Sequence, residues 1–348
     1  MERIFEYKQF SGALLNWYDT HKRDLPWRKD REPYHIWLSE IMLQQTRVEA
    51  VKGYYNRFLE NLPTIESLAN ADDDLLHKLW EGLGYYSRVR NLKKAAIRIM
   101  TEHGGVFPGE YSKVLALPGI GPYTAGAICS IAFDQPTPAV DGNVLRLMTR
   151  LLDDHSNIDE SATKTMITDC LRKIYPPRAG DFTQALMELG ATVCGPNCAP
   201  NCENCPCKAF CKGYQNGTAA ALPVRNEKKK RRIENKTILI LSCDGELALC
   251  KRPDTGLLAS MWQFPELPDG MDLNAVISKV EEMGGSVSEI QRQVERKHVF
   301  THIEWHMRGF YLQLRDKMPQ FTWMSVQKIR DEAALPTAFR LFFDELNG

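Results

Sequence analysis

Six of the chain's ten cysteines stand in one short segment, and this clustering constrains the chain more than any other feature. The six are Cys194, Cys198, Cys202, Cys205, Cys207 and Cys211. A free cysteine is ordinarily a small buried apolar residue, but a segment rich in Pro and Asn is poorly suited to a core. Closely spaced thiolates bind zinc or an iron–sulfur cluster, and the spacing alone fits both. The segment is therefore predicted to be a metal-binding loop.

Charge and hydropathy limit the compartment and the partners. Lys plus Arg number 44 and Asp plus Glu number 44, so composition gives no case for a polyanionic partner, although a local basic surface would suffice. The N-terminal segment has early acidic residues and no long apolar core, so no signal peptide is predicted. No run of about 18 apolar residues occurs, and no membrane span is expected. We expect a cytoplasmic monomer of bacterial type with reduced cysteines.

The chain changes character near residue 213. Residues 1–212 carry helical periodicity interrupted by Pro and Gly, and no strand pattern stands out there. Residues 213–233 are polar with a basic run at 228–232, which is either a solvated linker or an arm lying along phosphate. Residues 234–348 show a β pattern with an Asp-Gly hairpin signal and amphipathic helices. The predicted fold is multi-domain, with an all-α domain followed by a small α+β domain.

A glycine-rich turn joins two helical segments at residues 117–126. Gly119 and Gly121 permit a tight turn and a close approach of the backbone. Pro122 suits the first turn of the following helix, whose exposed amides suit a phosphate. An ordinary helix–helix turn would explain a lone Gly-x-Gly equally well.

Two carboxylates form a candidate catalytic pair. On a helix, the neighbours of Glu40 three and four residues away are mostly apolar, and desolvation there would raise its pKa towards that of a general acid. An exposed helical face would make Glu40 an ordinary surface residue. Asp141 precedes a helical run, where an N-cap is the ordinary role and is compatible with an ionised carboxylate. Glycosidic cleavage needs such an acid together with an anion beside an oxocarbenium-like centre.

Four strings carry a resemblance to a known family. Residues 38–46 (LSEIMLQQT) and 140–144 (VDGNV) resemble the catalytic motifs of MutY-type adenine DNA glycosylases. Residues 117–126 resemble the helix-hairpin-helix motif of the DNA glycosylase superfamily. The run Cys194-x7-Cys202-x2-Cys205-x5-Cys211 resembles the 4Fe–4S loop of the endonuclease III and MutY superfamily, where the first spacing is usually six. Cys198 competes with Cys194 as first ligand, and Cys194 is preferred because it ends a helical segment.

The resemblance implies a role for each motif residue. Glu40 would protonate the adenine and then help to activate water, while Asp141 would stabilise the sugar cation and Asn143 would support the site. Relatives that also cut the strand carry a Schiff-base lysine two residues after the second hairpin glycine. Here that position is Tyr123, so a monofunctional glycosylase is expected.

Further residues match the family's base-contacting positions. Trp27, Arg28 and Gln184 would form the adenine pocket. Tyr85, in the string GLGYYSR, would be a wedge that enters the base stack and lowers the cost of extruding a base. Gln45 would lie on the same side, with Thr46 next to it in the DNA-binding set. Plain core packing is the alternative for both Trp27 and Tyr85.

Residues 234–348 resemble the Nudix-like recognition domain of MutY. The region of a Nudix hydrolase's metal-binding helix lacks the required Arg and Glu pattern here, so a reader without hydrolase activity is expected. Phe300, Thr301 and His302 match the family's 8-oxoguanine-reading loop, in which Ser is common at the position of Thr301. An ordinary turn at a strand edge is the alternative.

The resemblance predicts a glycosylase domain over residues 1–212, a basic linker over 213–233 and a Nudix-like domain over 234–348. Within the first domain, a six-helix module would cover about 26–132, and 1–25 with 133–212 would form the cluster module. The expected partner is duplex DNA containing an 8-oxoguanine·adenine or guanine·adenine mispair. A glycosylase–lyase for oxidised pyrimidines and a non-catalytic DNA-binding module stay open as alternatives.

Overall fold

The computed structural model describes residues 2–196, 199–227 and 230–347, and the chain forms two compact units. The first unit comprises Met1–Asn70 and Arg90–Glu227, and the second comprises Ala71–Val89 and Lys228–Gly348. The structure thus groups 71–89 with the C-terminal part and 213–227 with the helical part, unlike the sequence-based segmentation.

Hydrogen bonds explain this grouping. In the second unit, Lys78 Nζ donates to the carbonyl of Ala333 at 3.4 Å, and the Leu335 amide donates to Glu81 Oε1 at 3.1 Å. In the first unit, buried Arg150 donates from Nε to the carbonyl of Leu222 at 3.0 Å. Sequence periodicity cannot detect such contacts, because the partners lie far apart along the chain.

Helices account for the regular structure of the described residues up to 227, which confirms the predicted all-α domain. The α-helices are α1 (Glu2–His21), α2 (Pro33–Met42), α3 (Val48–Asn61), α4 (Ile65–Asn70), α5 (Asp73–Leu79), α6 (Ser87–Glu102), α7 (Tyr111–Leu115), α8 (Pro122–Ile131), α9 (Gly142–Leu152), α10 (Ser161–Arg172), α11 (Ala179–Thr192) and α12 (Lys212–Gln215). Short 3₁₀ turns occur at Pro26–Arg28, Cys202–Asn204 and Lys208–Phe210. No helix in the described part of the chain has the length and apolarity needed to cross a membrane.

The second unit contains a mixed sheet, which confirms the α+β prediction. Its strands are β1 (Arg232–Cys243), β2 (Glu246–Lys251), β3 (Trp262–Gln263), β4 (Glu266–Leu267), β5 (Val287–Val299), β6 (Ile303–Leu314) and β7 (Thr322–Ser325). The order is β3-β2-β1-β6-β5; β1 and β6 are parallel, whereas β4 and β7 pair antiparallel with β1 and β2. The later helices are α13 (Leu273–Glu282), α14 (Val326–Asp331) and α15 (Thr337–Phe343).

Both faces of this sheet are covered, because successive side chains of a strand point to opposite faces. On one face, Ile238 and Ile240 share a core with Phe339 of α15. On the other, Leu239 and Leu241 share a core with α13. Burial on both faces explains why β1 reads as a continuous apolar run rather than an alternating one.

A glycine in α8 fixes the segment that leads to Asp141. A Cβ built on Gly126 would lie 2.1 Å from the carbonyl oxygen of Pro138, which is closer than any non-bonded contact allows. The helix and the 138–141 segment can therefore approach this closely only because residue 126 has no side chain.

We predict that Gly126→Ala lowers the free energy of unfolding by about 2 kcal/mol or more, since backbone must move to accept the methyl group. The matched control is Gly53→Ala in α3, where a Cβ would meet no described atom within 4 Å. That change should stabilise the chain by up to about 1 kcal/mol through helix propensity. Urea unfolding of the full-length variants measures both, and equal effects would contradict the close approach.

Candidate active site

Glu40 is buried in α2, with only 5% of its surface exposed. The Tyr123 hydroxyl donates a hydrogen bond to its Oε2. Burial raises the pKa of Glu40 to about 7; the Tyr123 hydrogen bond lowers it, and the Asp141 charge raises it. The exposed-surface alternative for Glu40 is thereby excluded. A carboxyl group with this pKa can carry a proton at neutral pH and give it up, as a general acid must.

Asp141 is the N-cap of α9 and accepts a hydrogen bond from the Val144 amide at 2.8 Å. Its other oxygen accepts from Asn143 Nδ2 at 2.7 Å. Burial raises the pKa of Asp141, while these hydrogen bonds and the Arg146 charge oppose the rise. Asp141 is thus both a helix cap and a carboxylate whose charge is felt by Glu40.

Arg146 connects this carboxylate region to the cysteine segment. Its Nη2 donates to Asn143 Oδ1 at 2.9 Å and to the Gly190 carbonyl at 2.7 Å. Its Nε donates to the Cys194 carbonyl at 2.8 Å. The cysteine segment is therefore connected through Arg146 to Asn143, the side chain that donates a hydrogen bond to Asp141.

Tyr123 lies in the first turn of α8, directly after the glycine-rich turn. Burial and the charge of Glu40 raise the pKa of its hydroxyl well above the ordinary value, so it stays a neutral donor. Gly119 has φ +77°, and a Cβ there would lie 2.6 Å from Asn91 Cβ. Gly121 is the extended N-cap of α8, with φ −99°. Gly119 therefore requires glycine on two grounds, whereas Gly121 serves to begin the helix.

Arg28, one of the predicted adenine-pocket residues, is paired with a buried acid that the sequence did not single out. Glu188 is 1% exposed and accepts from Arg28 Nη2 at 2.7 Å and from Arg23 Nε at 2.6 Å. Burial alone would raise the pKa of Glu188, but hydrogen bonds and charges from the two arginines lower it overall. Gln184 lies one turn earlier on the same face of α11. An acidic residue on an otherwise apolar helix face was the available signal.

Trp27, Gln45 and Thr46 occupy different environments. Trp27 is buried and packs edge-on against Tyr55 with ring centroids 5.5 Å apart. The core-packing alternative therefore holds for Trp27, whatever else its ring contacts. Gln45 is exposed in a left-handed conformation with φ +58°, just after α2, and Thr46 beside it is half-buried. Gln45 is thus exposed on the surface by the turn that follows α2.

In the second unit, Tyr85 is 45% exposed and has φ +47°. Its hydroxyl hydrogen-bonds the Thr301 hydroxyl. Core packing therefore does not account for Tyr85. Phe300 packs on Trp305 with ring centroids 4.9 Å apart, while Thr301 and His302 are exposed. Residues 300–302 join β5 to β6, and we call them the reading loop after the role that the sequence predicts for them.

The described end of the basic run lies against this reading loop. Arg231 donates from Nε to the Phe300 carbonyl at 3.1 Å, and the Arg232 amide donates to the His302 carbonyl at 3.1 Å. Lys228 and Lys229 lie outside the described residues. Both arginines are exposed, so the segment contributes positive charge beside the loop.

Four cysteines line one cavity in the first unit: Cys194, Cys202, Cys205 and Cys211. Buried Arg150 lines the same cavity and donates from Nη1 to Cys194 Sγ at 3.2 Å. A guanidinium there suits a group bound by negatively charged thiolates. Among the residues that the structure describes, no three His, Cys, Asp or Glu side chains are placed to hold a single metal ion. Cys207 is buried in the core that also contains Cys194 and Cys211, although it does not line the cavity. Cys198 lies outside the described residues.

Comparison with known proteins agrees with this geometry. Residues 38–176 match the HhH-GPD superfamily of base excision DNA repair proteins, and residues 237–345 match the NUDIX domain. The solved structure of a thermostable thymine-DNA glycosylase is 29% identical with a TM-score of 0.56, covering 61% of this chain and 97% of that one. An endonuclease III–DNA covalent complex, at 21% identity and a TM-score of 0.52, shares the fold over 62% of this chain and 98% of that one. The fold and the buried acid define a DNA N-glycosylase of base excision repair.

Full-length relatives narrow the class. The adenine DNA glycosylase of Mus musculus is 34% identical, covering 99% of this chain and 80% of the relative. That of Homo sapiens is 33% identical over 99% of this chain and 75% of the relative. That of Buchnera aphidicola (subsp. Baizongia pistaciae) is 33% identical over 87% and 86%. The chain belongs to the adenine DNA glycosylase family.

We predict that base release under single-turnover conditions slows as the pH rises through about 7, because Glu40 must be protonated to act. Tyr123→Phe removes a hydrogen bond that favours the ionised carboxylate. The alkaline limb should therefore move up by about one pH unit, the worth of one hydrogen bond to a charged group. A pH–rate profile of both proteins measures this, and a limb that stays in place or moves down would contradict the assignment.

Proposed function

We propose that the chain removes adenine mispaired with 8-oxoguanine or guanine in duplex DNA. The observation that carries the proposal is the buried Glu40, with a pKa of about 7, hydrogen-bonded to Tyr123 in the field of Asp141. An acid for the leaving base and an anion for the sugar are the two groups that glycosidic cleavage requires. Family membership supplies adenine as the base.

The proposed reaction begins with extrusion of the adenine nucleotide from the helix. Glu40 gives its proton to a ring nitrogen of adenine as the bond between the base nitrogen and C1′ of the sugar breaks. The bonding electrons leave with the base, and Asp141 stabilises the resulting sugar cation. Water then adds to C1′ and loses a proton to the Glu40 carboxylate, which restores the acid. The products are free adenine and an abasic site.

The residue at position 123 supports a reaction that stops at the abasic site. A lyase of this fold needs an amine that condenses with the opened sugar. The corresponding position holds Tyr123, whose hydroxyl is a neutral donor to Glu40 and not an amine nucleophile. The chain is therefore proposed to be monofunctional, unlike a glycosylase–lyase.

We also propose that Cys194, Cys202, Cys205 and Cys211 hold a 4Fe–4S cluster. The support is that these four thiols line one cavity with the Arg150 guanidinium, and that iron–sulfur clusters take four thiolate ligands. When bound, the group would cross-link the cysteine segment. The Cys194 carbonyl contacts both Arg146 and Arg150, so an ordered segment helps to place the chain of contacts that leads to Asn143.

We propose that residues of the second unit recognise the base opposite the adenine. Tyr85 and the reading loop combine an exposed aromatic ring with exposed hydroxyl and imidazole groups. A ring can enter the base stack, and polar groups can read the edge of the opposite base. The exposed Arg231 and Arg232 supply charge for the phosphate backbone.

We predict that Glu40→Gln binds a mispaired duplex as the unaltered protein does but releases adenine at least about 10²-fold more slowly, because general-acid catalysis is lost. Glu49→Gln provides the control, since it makes the same substitution on an exposed side chain of α3. Single-turnover base release and gel-shift affinity are measured for both variants. The proposal fails if Glu40→Gln releases adenine at a comparable rate, or if Glu49→Gln loses as much.

We predict that the purified chain carries about four irons and four inorganic sulfides, and that Cys202→Ser loses most of both. Cys170→Ser is the matched control, because Cys170 lies in α10 and does not line the cavity. Its metal content should stay unchanged. Iron and sulfide analysis measures both variants; loss of iron only in Cys170→Ser, or zinc in place of iron, would refute the assignment.

A further inference from the structure

The turn that carries Tyr85 has an unusual backbone. Gly82, Gly84 and Tyr85 all have positive φ, at 98°, 72° and 47°. We call residues 82–85 the wedge turn. Glycine adopts such angles freely, but a residue with a side chain loses about 1 kcal/mol or more there. The surrounding structure must therefore hold Tyr85 in this conformation.

Two side chains hold the carbonyls that precede Tyr85. Arg88 Nη2 donates to the Leu83 carbonyl at 2.9 Å and to the Gly84 carbonyl at 3.0 Å. The Gly84 carbonyl also accepts from Trp80 Nε1 at 3.0 Å. The peptide unit that enters Tyr85 is thus fixed from two directions.

The same guanidinium also lies near two aromatic rings, that of Trp80 before the turn and that of Tyr85 within it. Its central carbon lies 5.2 Å from the Trp80 ring centroid and 5.8 Å from that of Tyr85, within the range of cation–π attraction. Arg88 is only 8% exposed. Burial lowers its pKa to about 10, which still leaves the side chain charged at neutral pH.

We infer that Arg88 is a positioning residue for the wedge: it aims the Tyr85 ring and so controls insertion into DNA rather than bond cleavage. Burying a cation costs free energy, because the cation loses its hydration. The buried Arg88 guanidinium instead contacts the carbonyls of the wedge turn and the Tyr85 ring. A ring that is aimed before binding loses less conformational freedom on insertion. Lysine cannot replace arginine in this role, because an ammonium offers neither the planar fork nor the stacking face. The inference rests on the proposed function, in which Tyr85 enters the stack.

The test is a double-mutant cycle of Arg88→Lys and Tyr85→Ala. The probe is a duplex that carries 2-aminopurine next to 8-oxoguanine opposite adenine, whose fluorescence rises when the stack is opened. We expect Arg88→Lys alone to raise the protein concentration at half-saturation about tenfold. This is the effect of losing one charge-assisted hydrogen bond together with its stacking contact. In the Tyr85→Ala background, Arg88→Lys should change it less than about twofold, since the partner through which it acts is gone.

Arg57→Lys is the matched control. Arg57 in α3 also stacks on a tyrosine, with its central carbon 4.8 Å from the Tyr54 ring centroid, but it is exposed and outside the wedge turn. It should leave the fluorescence titration unchanged. The pH–rate profile of Arg88→Lys should keep the alkaline limb near 7, because Glu40 is untouched.

Gly84→Ala tests the same inference without altering the buried cation, should Arg88→Lys fold poorly. A Cβ there would meet no atom of the described structure within 4 Å, yet φ +72° disfavours alanine. Gly104→Ala is its control, with φ +61° and equally open space at the end of α6. Only Gly84→Ala should raise the half-saturation concentration in the fluorescence titration. Both variants should lose similar amounts of unfolding free energy.

Additive effects of Arg88→Lys and Tyr85→Ala would overturn the inference, as would a Gly84→Ala titration equal to that of Gly104→Ala. The proposed function is judged separately, by adenine release from the unaltered protein. Fluorescence that rises without base release would reject the proposed chemistry and leave the positioning role standing. If the unaltered protein releases adenine but Arg88→Lys gives the same fluorescence titration as the unaltered protein, only the positioning role is rejected.

Discussion

Burial of the Glu40 carboxyl group is the feature on which the proposed active site of the first unit depends. Glu40 can serve as an acid near neutral pH only because α2 is buried, and Tyr123 limits the rise of its pKa by donating a hydrogen bond. That donor must come from the first turn of α8. Gly126 in the same helix allows the 138–141 segment to approach α8 closely. Asp141, the N-cap of α9, ends that segment, and its charge raises the pKa of Glu40. The acid, its donor and the anion therefore depend on one closely packed pair of segments.

The residues proposed for the chemistry and those proposed for base reading belong to different compact units. The first holds the carboxylates, Arg28, Glu188 and the cysteine segment, with Arg146 joining the last of these to Asn143. The second holds Tyr85 with the reading loop, although Tyr85 precedes much of the helical unit in sequence. Such a division lets the opposite base be read by groups that take no part in proton transfer. It would also let Arg88 affect insertion, as we infer, without affecting the acid.

The sequence predicted the element types well, because helical and strand periodicities are local properties. Motif resemblance selected Glu40, Asp141 and the four cysteines, yet the pattern alone could not decide whether Glu40 was buried. That depends on which helices cover α2, and Tyr123, its donor, lies 83 residues away. Arg23 and Glu188 were missed for the same reason, being separated by 165 residues. The hydrogen bonds from Arg88 to the wedge turn were also missed, because the turn depends on positive φ angles that sequence periodicity does not reveal.

The central claim is that this buried acid drives removal of adenine without strand cleavage. The most direct measurement is adenine release from a duplex with one 8-oxoguanine·adenine pair, with and without hot alkali afterwards. If Glu40 and Tyr123 act as proposed, free adenine appears and strand breaks form only after alkali. Breaks without alkali would contradict the role given to Tyr123, and no release in either case would contradict the role given to Glu40.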